Sequence, residues 1–159
     1  MKKITFVISE ARLHEQLSIM SLSASLKNAG HETSLVFFQN DPLNKDKIVK
    51  ALKRESPDFI AFSFMSGVKE HYIDLAGYIK EHISTPIVIG GPAPTFDPDL
   101  CDFNDNSFDA VCIGEGDLSI VNFVNRCNGV ENAAPMHNFV TRSRSGGQVR
   151  GELLDLIDP

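Results

Sequence analysis

The chain has 159 residues, 42% of them hydrophobic and 23% charged. That is one ordinary domain, long enough to bury a core without a metal or disulfide staple, and it excludes wholesale disorder, collagen-like structure and a coiled coil. Fifteen basic against 21 acidic residues give a net charge of −6. This argues against a nucleic-acid or anionic-membrane surface, either of which needs a basic patch. No apolar run approaches the roughly 20 residues of a membrane helix. The apolar start, Ile4 to Ile8, is too short for a signal-peptide core, so the expected location is cytoplasmic. The three cysteines, Cys101, Cys112 and Cys127, form neither a CxxC pair nor a disulfide framework and are expected to be reduced and mostly buried.

In chain order, strand and helix signals alternate. Ile4 to Ser9 is a nearly continuous apolar run, as in a strand buried on both faces. From His14 to Asn28, Leu13, Leu17, Met20 and Ala24 recur at helical spacing, and Gly30 stops the helix. Thr33 to Phe38 is a second strand. Asn44 or Asp46 caps a helix carrying Ile48, Val49 and Leu52, and Ser56-Pro57-Asp58 ends it. Phe59 to Phe64 is a third strand, followed by a helix marked by Val68, Tyr72, Leu75 and Ile79. Pro86 to Ile89 is a fourth strand, running into Gly90-Gly91, and Asp109 to Ile113 a fifth, ending in Gly114. Asp117 to Cys127 is a helix with Ile120, Val124 and Cys127 on one face. His137 to Thr141 and Gln148 to Arg150 flank Ser145-Gly146-Gly147, a small hairpin.

This alternation predicts an α/β fold: a doubly wound, flavodoxin-like (Rossmann-like) sheet of five parallel strands in the order 2-1-3-4-5, with a small C-terminal hairpin. The expected division is residues 1–130 for the α/β domain and 131–159 for the hairpin and a linker.

Ligands of such sheets bind at the carboxyl ends of the strands. The loops there exclude several ligand classes. Strand 3 ends in Phe62-Ser63-Phe64, without the Asp of a phosphoacceptor receiver. The first loop carries Arg12, Leu13 and Glu15 rather than a flavodoxin's phosphate loop. Gly114-Glu115-Gly116-Asp117 lacks the third glycine of a dinucleotide fingerprint and comes after the wrong strand. Two glycine turns at one end of the sheet remain. Gly90-Gly91 removes Cβ atoms from a backbone approach, Pro92 and Pro94 stiffen the next residues into an extended rim, and Gly114 and Gly116 repeat the device around Glu115. Ala61 and Ser63 share one face of strand 3, and Ser18, Ser21 and Ser25 lie on one side of helix 1. Together these small residues could line a slot into the core.

Gly90 to Thr95 (Gly-Gly-Pro-Ala-Pro-Thr) followed by Gly114 to Asp117 (Gly-Glu-Gly-Asp) resembles the N-terminal cobalamin-binding domain of radical S-adenosylmethionine enzymes. Pro57 to Ser63 and Leu154-Asp155-Leu156 are also similar, so the resemblance spans essentially the whole chain. It implies cobalamin, with the corrin on the strand ends and the nucleotide tail in the slot. Ser63 and Ser66 would bond the tail. Gly90 and Gly91 would pass close to it, Pro92, Ala93, Pro94 and Thr95 would lie beside the corrin, and Gly114, Glu115 and Gly116 would rim the ring and its amides. Two departures stand out. The cobalt-ligating Asp-x-His-x-x-Gly of methionine synthase and the mutases is here Arg12-Leu13-His14-Glu15-Gln16-Leu17, so His14 is not expected on the metal. The CxxxCxxC that would hold an iron–sulfur cluster is absent. The implied protein is therefore a cofactor module, not catalytic alone. Its partner would be a C-terminal radical domain that holds S-adenosylmethionine and [4Fe-4S], with methyl transfer the foremost reaction. The alternative is a cobalamin-free interaction or regulatory domain of the same fold, which a slot filled by large side chains would favour.

Overall fold

The computed structural model describes residues 1–9, 13–38, 44–97, 100, 107–129, 136–142 and 148–154. The strands are β1 (Lys3–Ser9), β2 (Glu32–Phe38), β3 (Phe59–Ser63), β4 (Ile87–Gly90), β5 (Ala110–Cys112), β6 (Phe139–Arg142) and β7 (Gln148–Arg150). The helices are α1 (Leu13–Asn28), α2 (Lys45–Glu55), α3 (Lys69–His82), α4 (Pro92–Phe96) and α5 (Asp117–Cys127), with a 3-10 turn at Ser66–Val68. The sheet order is β2-β1-β3-β4-β5-β6-β7. The first five strands are parallel in the expected 2-1-3-4-5 order, while β6 adds antiparallel to β5 and β7 to β6. Among the described residues the sheet therefore has seven strands rather than five. Phe139 and Val140 are buried, so their apolar side chains gain more against the β5 edge than in a hairpin standing apart.

Alternation along the strands splits the core in two. Val7, Ile60, Phe62, Ile87, Ile89 and Val111 face α2 and α3. Ile4, Phe6, Ile8, Ala61, Val88, Ala110 and Cys112 face α1 and α5. The α1 residues that pack there are Ile19, Leu22 and Leu26, not the predicted stripe. Leu17 and Met20 are 60% and 65% exposed, and Ala24 is exposed too. The helix carries two interleaved apolar stripes, and the one nearer the serines packs on the sheet. On α5, Ile120 and Val124 are buried as expected; Cys127 is exposed, and Phe123 takes the core instead, stacked on Phe139 at 4.4 Å.

Two carboxylates pin the N-terminal ends of the strands, opposite the site. Asp58 accepts from Lys2 Nζ and from the Lys3 N–H, both at 2.8 Å. Asp109 accepts from the Ile87 N–H at 2.7 Å and from Lys80. No helix among the described residues is long and apolar enough to cross a membrane.

Candidate functional site

Four loops meet at the carboxyl end of the sheet, and hydrogen bonds join them in series. Phe64 is buried and stacked on Tyr72 at 4.6 Å, which holds the backbone just beyond β3. Its N–H donates to Gly90 O at 3.2 Å, and its carbonyl accepts from the Ala93 N–H at 3.0 Å. Gly91 lies between these bonds at φ 94° and ψ −172°, a region essentially closed to residues with a Cβ. A Cβ there would lie 2.9 Å from Ser63 Oγ and 3.0 Å from Phe64 N. Pro92 to Phe96 is one turn of helix rather than an extended rim. Pro92 occupies the first helical position and Pro94 the same turn, where the missing N–H groups have no intrahelical partner to lose. That turn aims Thr95 back at both glycine loops. Its hydroxyl donates to Gly91 O at 2.9 Å and accepts from the Gly114 N–H at 3.0 Å.

The turn after β5 is held from its other side. Asn138 Nδ2 donates to Glu115 O at 2.9 Å, and Ser119 Oγ reaches the same carbonyl at 3.1 Å. Gly116 O accepts from the Ile120 N–H at 2.8 Å, opening α5. Asp117, the first residue of α5, accepts from Ser21 of α1. That bond ties the two helices across the α1 face of the sheet.

Under this rim lies an open cavity of about 500 Å³. Ala61 and Ser63 of β3 and Ser18 and Ser21 of α1 line it, so the small residues do face one slot. Gly90, Gly91, Pro92, Thr95, Gly114, Glu115 and Gly116 form its mouth. Of the other expected site residues, Ser66 is exposed and Ala93 and Pro94 are buried. None of the three lines the cavity, because the helical turn points Ala93 and Pro94 inward. Ser25 lies off the cavity as well. His14 lies in α1, but its side chain is outside the described residues, as are Glu10, Arg12 and Cys101.

The cavity also has walls that the motifs do not mark. Phe6, Val88, Ile120 and Phe139 form an apolar floor, and Phe96 stands 81% exposed at the mouth. Strand alternation could have found Phe6 and Val88, which share a face with Ala61. Nothing local marks Phe139, which arrives from the added strand β6. Cys112 also lines the cavity. Burial, and then the Asp117 carboxylate, push its thiol up to about 12, so it is a neutral wall rather than a nucleophile. With hydroxyls, a carboxylate at the mouth and an apolar floor, the slot suits a ligand with an aromatic or sugar-like tail. Its volume is within the usual range of about 300–1,000 Å³ for ligand sites.

Comparison with known proteins identifies the family and the fold. Residues 5–124 match the B12 binding domain family. A cytidylyl-2-hydroxyethylphosphonate methyltransferase of Streptomyces wedmorensis is 30% identical over 116 residues, which are 70% of this chain and 21% of that protein. Among solved structures, the cobalamin-dependent S-adenosylmethionine radical enzyme OxsB, with aqua-cobalamin and S-adenosylmethionine bound, superposes with a TM-score of 0.77 at 20% identity. It is matched over 98% of this chain and 23% of its own. The radical S-adenosylmethionine methyltransferase TsrM of Kitasatospora setae, with cobalamin and a [4Fe-4S] cluster bound, gives 0.70 at 15% identity, over all of this chain and 30% of its own. This chain thus spans between a fifth and a third of the length of these relatives. With three quarters of its residues matching the family, the chain belongs to the B12-binding domains, and its cofactor is cobalamin.

Proposed function

We propose that this chain is the cobalamin-holding module of a radical S-adenosylmethionine enzyme, joined in function to a separate domain that carries S-adenosylmethionine and [4Fe-4S]. Residues 1–130 would hold the cofactor, and the segment 131–159 would lead toward that domain. The observation that carries this reading is the open slot beside Ala61 and Ser63. A cobalamin-free domain of the fold would have no reason to keep residues 61 and 63 small, and larger side chains there would fill the slot.

In this reading the nucleotide tail enters between β3 and α1, among Ser63, Ser18 and Ser21. The corrin lies on the mouth, against Gly90, Gly91, Pro92 and Thr95 on one side and Gly114, Glu115 and Gly116 on the other. The Glu115 carboxylate, exposed at the rim, accepts hydrogen bonds from corrin amides. Ser66, exposed just beyond β3, is left as an outer contact. Ala93 and Pro94 act from beneath, by holding the turn that aims Thr95. Cobalamin supplies cobalt chemistry for alkyl transfer; the residues of this chain bind and orient it. The phosphonate methyltransferase and TsrM, both named as methyltransferases, support methyl transfer as the reaction. The free Cys112 and Cys127 suit a reducing, cytoplasmic setting.

Titration with hydroxocobalamin tests the reading. The wild-type chain should retain the cofactor's colour through gel filtration. Ala61→Leu, which projects into the slot, should fold and bind at least about tenfold more weakly. Equal affinity in a folded Ala61→Leu variant would place the tail elsewhere, and no binding by wild type would overturn the proposal.

A further inference from the structure

Asn138, immediately before β6, is 3% exposed and sits at φ 60°, a left-handed conformation that asparagine tolerates better than most residues. All four of its polar groups are engaged. Its carbonyl accepts from the Ile113 N–H at 2.7 Å, and its N–H donates to Glu152 O at 2.9 Å. Its side-chain Nδ2 donates to Glu115 O at 2.9 Å, and its Oδ1 accepts from the Leu154 N–H at 2.7 Å. One buried side chain thus joins the turn at the cavity mouth to the segment beyond β7. The crossing is close. Gly151 donates to Phe139 O at 2.8 Å, and a Cβ on Gly151 would fall 1.7 Å from Met136 O. The segment after β7 is therefore held against the start of β6 by three hydrogen bonds. On the far side of the mouth, Thr95 holds the Gly114 N–H, so the Gly114–Gly116 turn is clamped between α4 and Asn138.

We propose that Asn138 is a positioning residue that couples occupancy of the cavity to the order of the exit segment Glu152–Leu154. The inference rests on the cobalamin reading only for the identity of the occupant. A ligand that presses on the Gly114–Gly116 turn fixes Glu115 O, which fixes the Asn138 amide. The other end of that amide then fixes the Leu154 N–H. Coupling is reciprocal: releasing Leu154 loosens the turn, and fixing the turn orders Leu154. The segment exposes Leu153 and Leu154, at 65% and 38%, so its order decides how an apolar pair is presented.

Amide hydrogen exchange on the 159-residue chain tests this in two arms. Without ligand, Leu154→Pro removes the N–H that Asn138 Oδ1 holds, on an exposed segment remote from the cavity. It should speed exchange of the Gly114 amide by about threefold or more. With hydroxocobalamin, exchange of the Leu154 amide in wild type should slow by about fivefold. The effect should vanish in Asn138→Asp at hydroxocobalamin concentrations that saturate this variant by visible absorption; the substitution keeps the acceptor and tolerates the backbone angle but places an oxygen against Glu115 O. Thermal unfolding of each variant shows that it is folded. An unchanged Gly114 amide in Leu154→Pro, or Leu154 protection that survives in Asn138→Asp, would overturn the proposal. A chain that shows the ligand-free coupling yet takes up no hydroxocobalamin keeps the latch and sinks the cofactor reading instead.

Discussion

Gly91→Ala separates internal packing from cofactor contact at the glycine pair. The backbone of Gly91 costs a residue with a Cβ about 1–3 kcal/mol in strain alone. The added methyl would also sit 2.9 Å from Ser63 Oγ and 3.0 and 3.1 Å from the N and O of Phe64. Phe64 cannot retreat, because its ring is stacked on Tyr72. Relief would come from parting the β3 and β4 loops, at the expense of the Phe64–Gly90 or Ala93–Phe64 hydrogen bond, worth about 1 kcal/mol. The expected loss is roughly 2–4 kcal/mol. Gly90→Ala is the control: its Cβ would meet Cys112 alone, at ordinary distances of 3.5 Å to Cβ and 4.0 Å to O, so its stability should change by less than about 1 kcal/mol. Urea unfolding reads both. With a slope of about 2 kcal/mol/M, the Gly91→Ala midpoint should fall by roughly 1–2 M while that of Gly90→Ala barely moves. Equal midpoints for the two variants would refute the reasoning and return Gly91 to the role of making room for a ligand.

Three further outcomes are expected. Iodoacetamide at about pH 8 should label the exposed Cys127 at least about tenfold faster than Cys112, whose thiol is held near 12 by burial and Asp117; equal labelling rates by peptide mapping would contradict the buried placement. Burial opposes ionisation of Asp58, but Lys2 and the Lys3 N–H outweigh it and hold its carboxyl below the ordinary value. Its stabilisation is therefore complete above the unfolded value near 4 and lost as pH falls toward the lower folded value. Asp58→Asn should lower stability by about 1 kcal/mol at neutral pH and by progressively less in acid, and a gap between the two unfolding midpoints that stays constant from about pH 7 to about pH 3 would count against it. Cob(II)alamin bound to wild type and to His14→Ala should give the same paramagnetic resonance spectrum, because Arg12 occupies the position whose acceptor would orient a ligating imidazole; nitrogen splitting present only in wild type would place His14 on cobalt.

The parallel strands were legible because burial on both faces leaves short β-branched runs between helical segments. The strand order rested on likeness to flavodoxin-type folds, since alternation alone also admits 3-2-1-4-5. The slot was legible for a related reason: Ala61 and Ser63 are small where a core strand is normally large, and the structure puts the cavity beside them. The packing face of α1 was not legible. Leu13-Leu17-Met20-Ala24 and Ile19-Leu22-Leu26 both have helical spacing, and only the sheet beneath chooses between them. The docking of β6 on β5 was hidden for another reason. Val140 pairs with Val111, which lies far back along the chain, and no local signal marks which edge a hairpin will join. Asn138 was hidden with it, since an asparagine before a strand carries no sign that its amide will be shared between two distant loops. Ser66, Ala93 and Pro94 entered the expected site through the resemblance, and none of them lines the cavity. A single helical turn was enough to direct two of them away from the cavity.

The same hydrogen bonds bear on how such a site reaches its specificity. Gly90 O, Gly91 O, the Gly114 N–H, Glu115 O and Gly116 O are all engaged within the protein. A glycine-rich mouth of this kind is not a loose loop waiting for a ligand to order it. It is largely preorganised, and binding supplies only the small remaining order that passes through Asn138 to Leu154. In the proposed placement of the cofactor the backbone contributes shape, and discrimination falls to the side chains that face the cavity: the hydroxyls of Ser18 and Ser63, the Glu115 carboxylate and the ring of Phe96. Substitutions among these four should change which corrinoid is held while leaving the fold intact. Substitutions at Gly91, Thr95 or Asn138 should weaken every corrinoid alike, because they remove the frame on which any of them would rest.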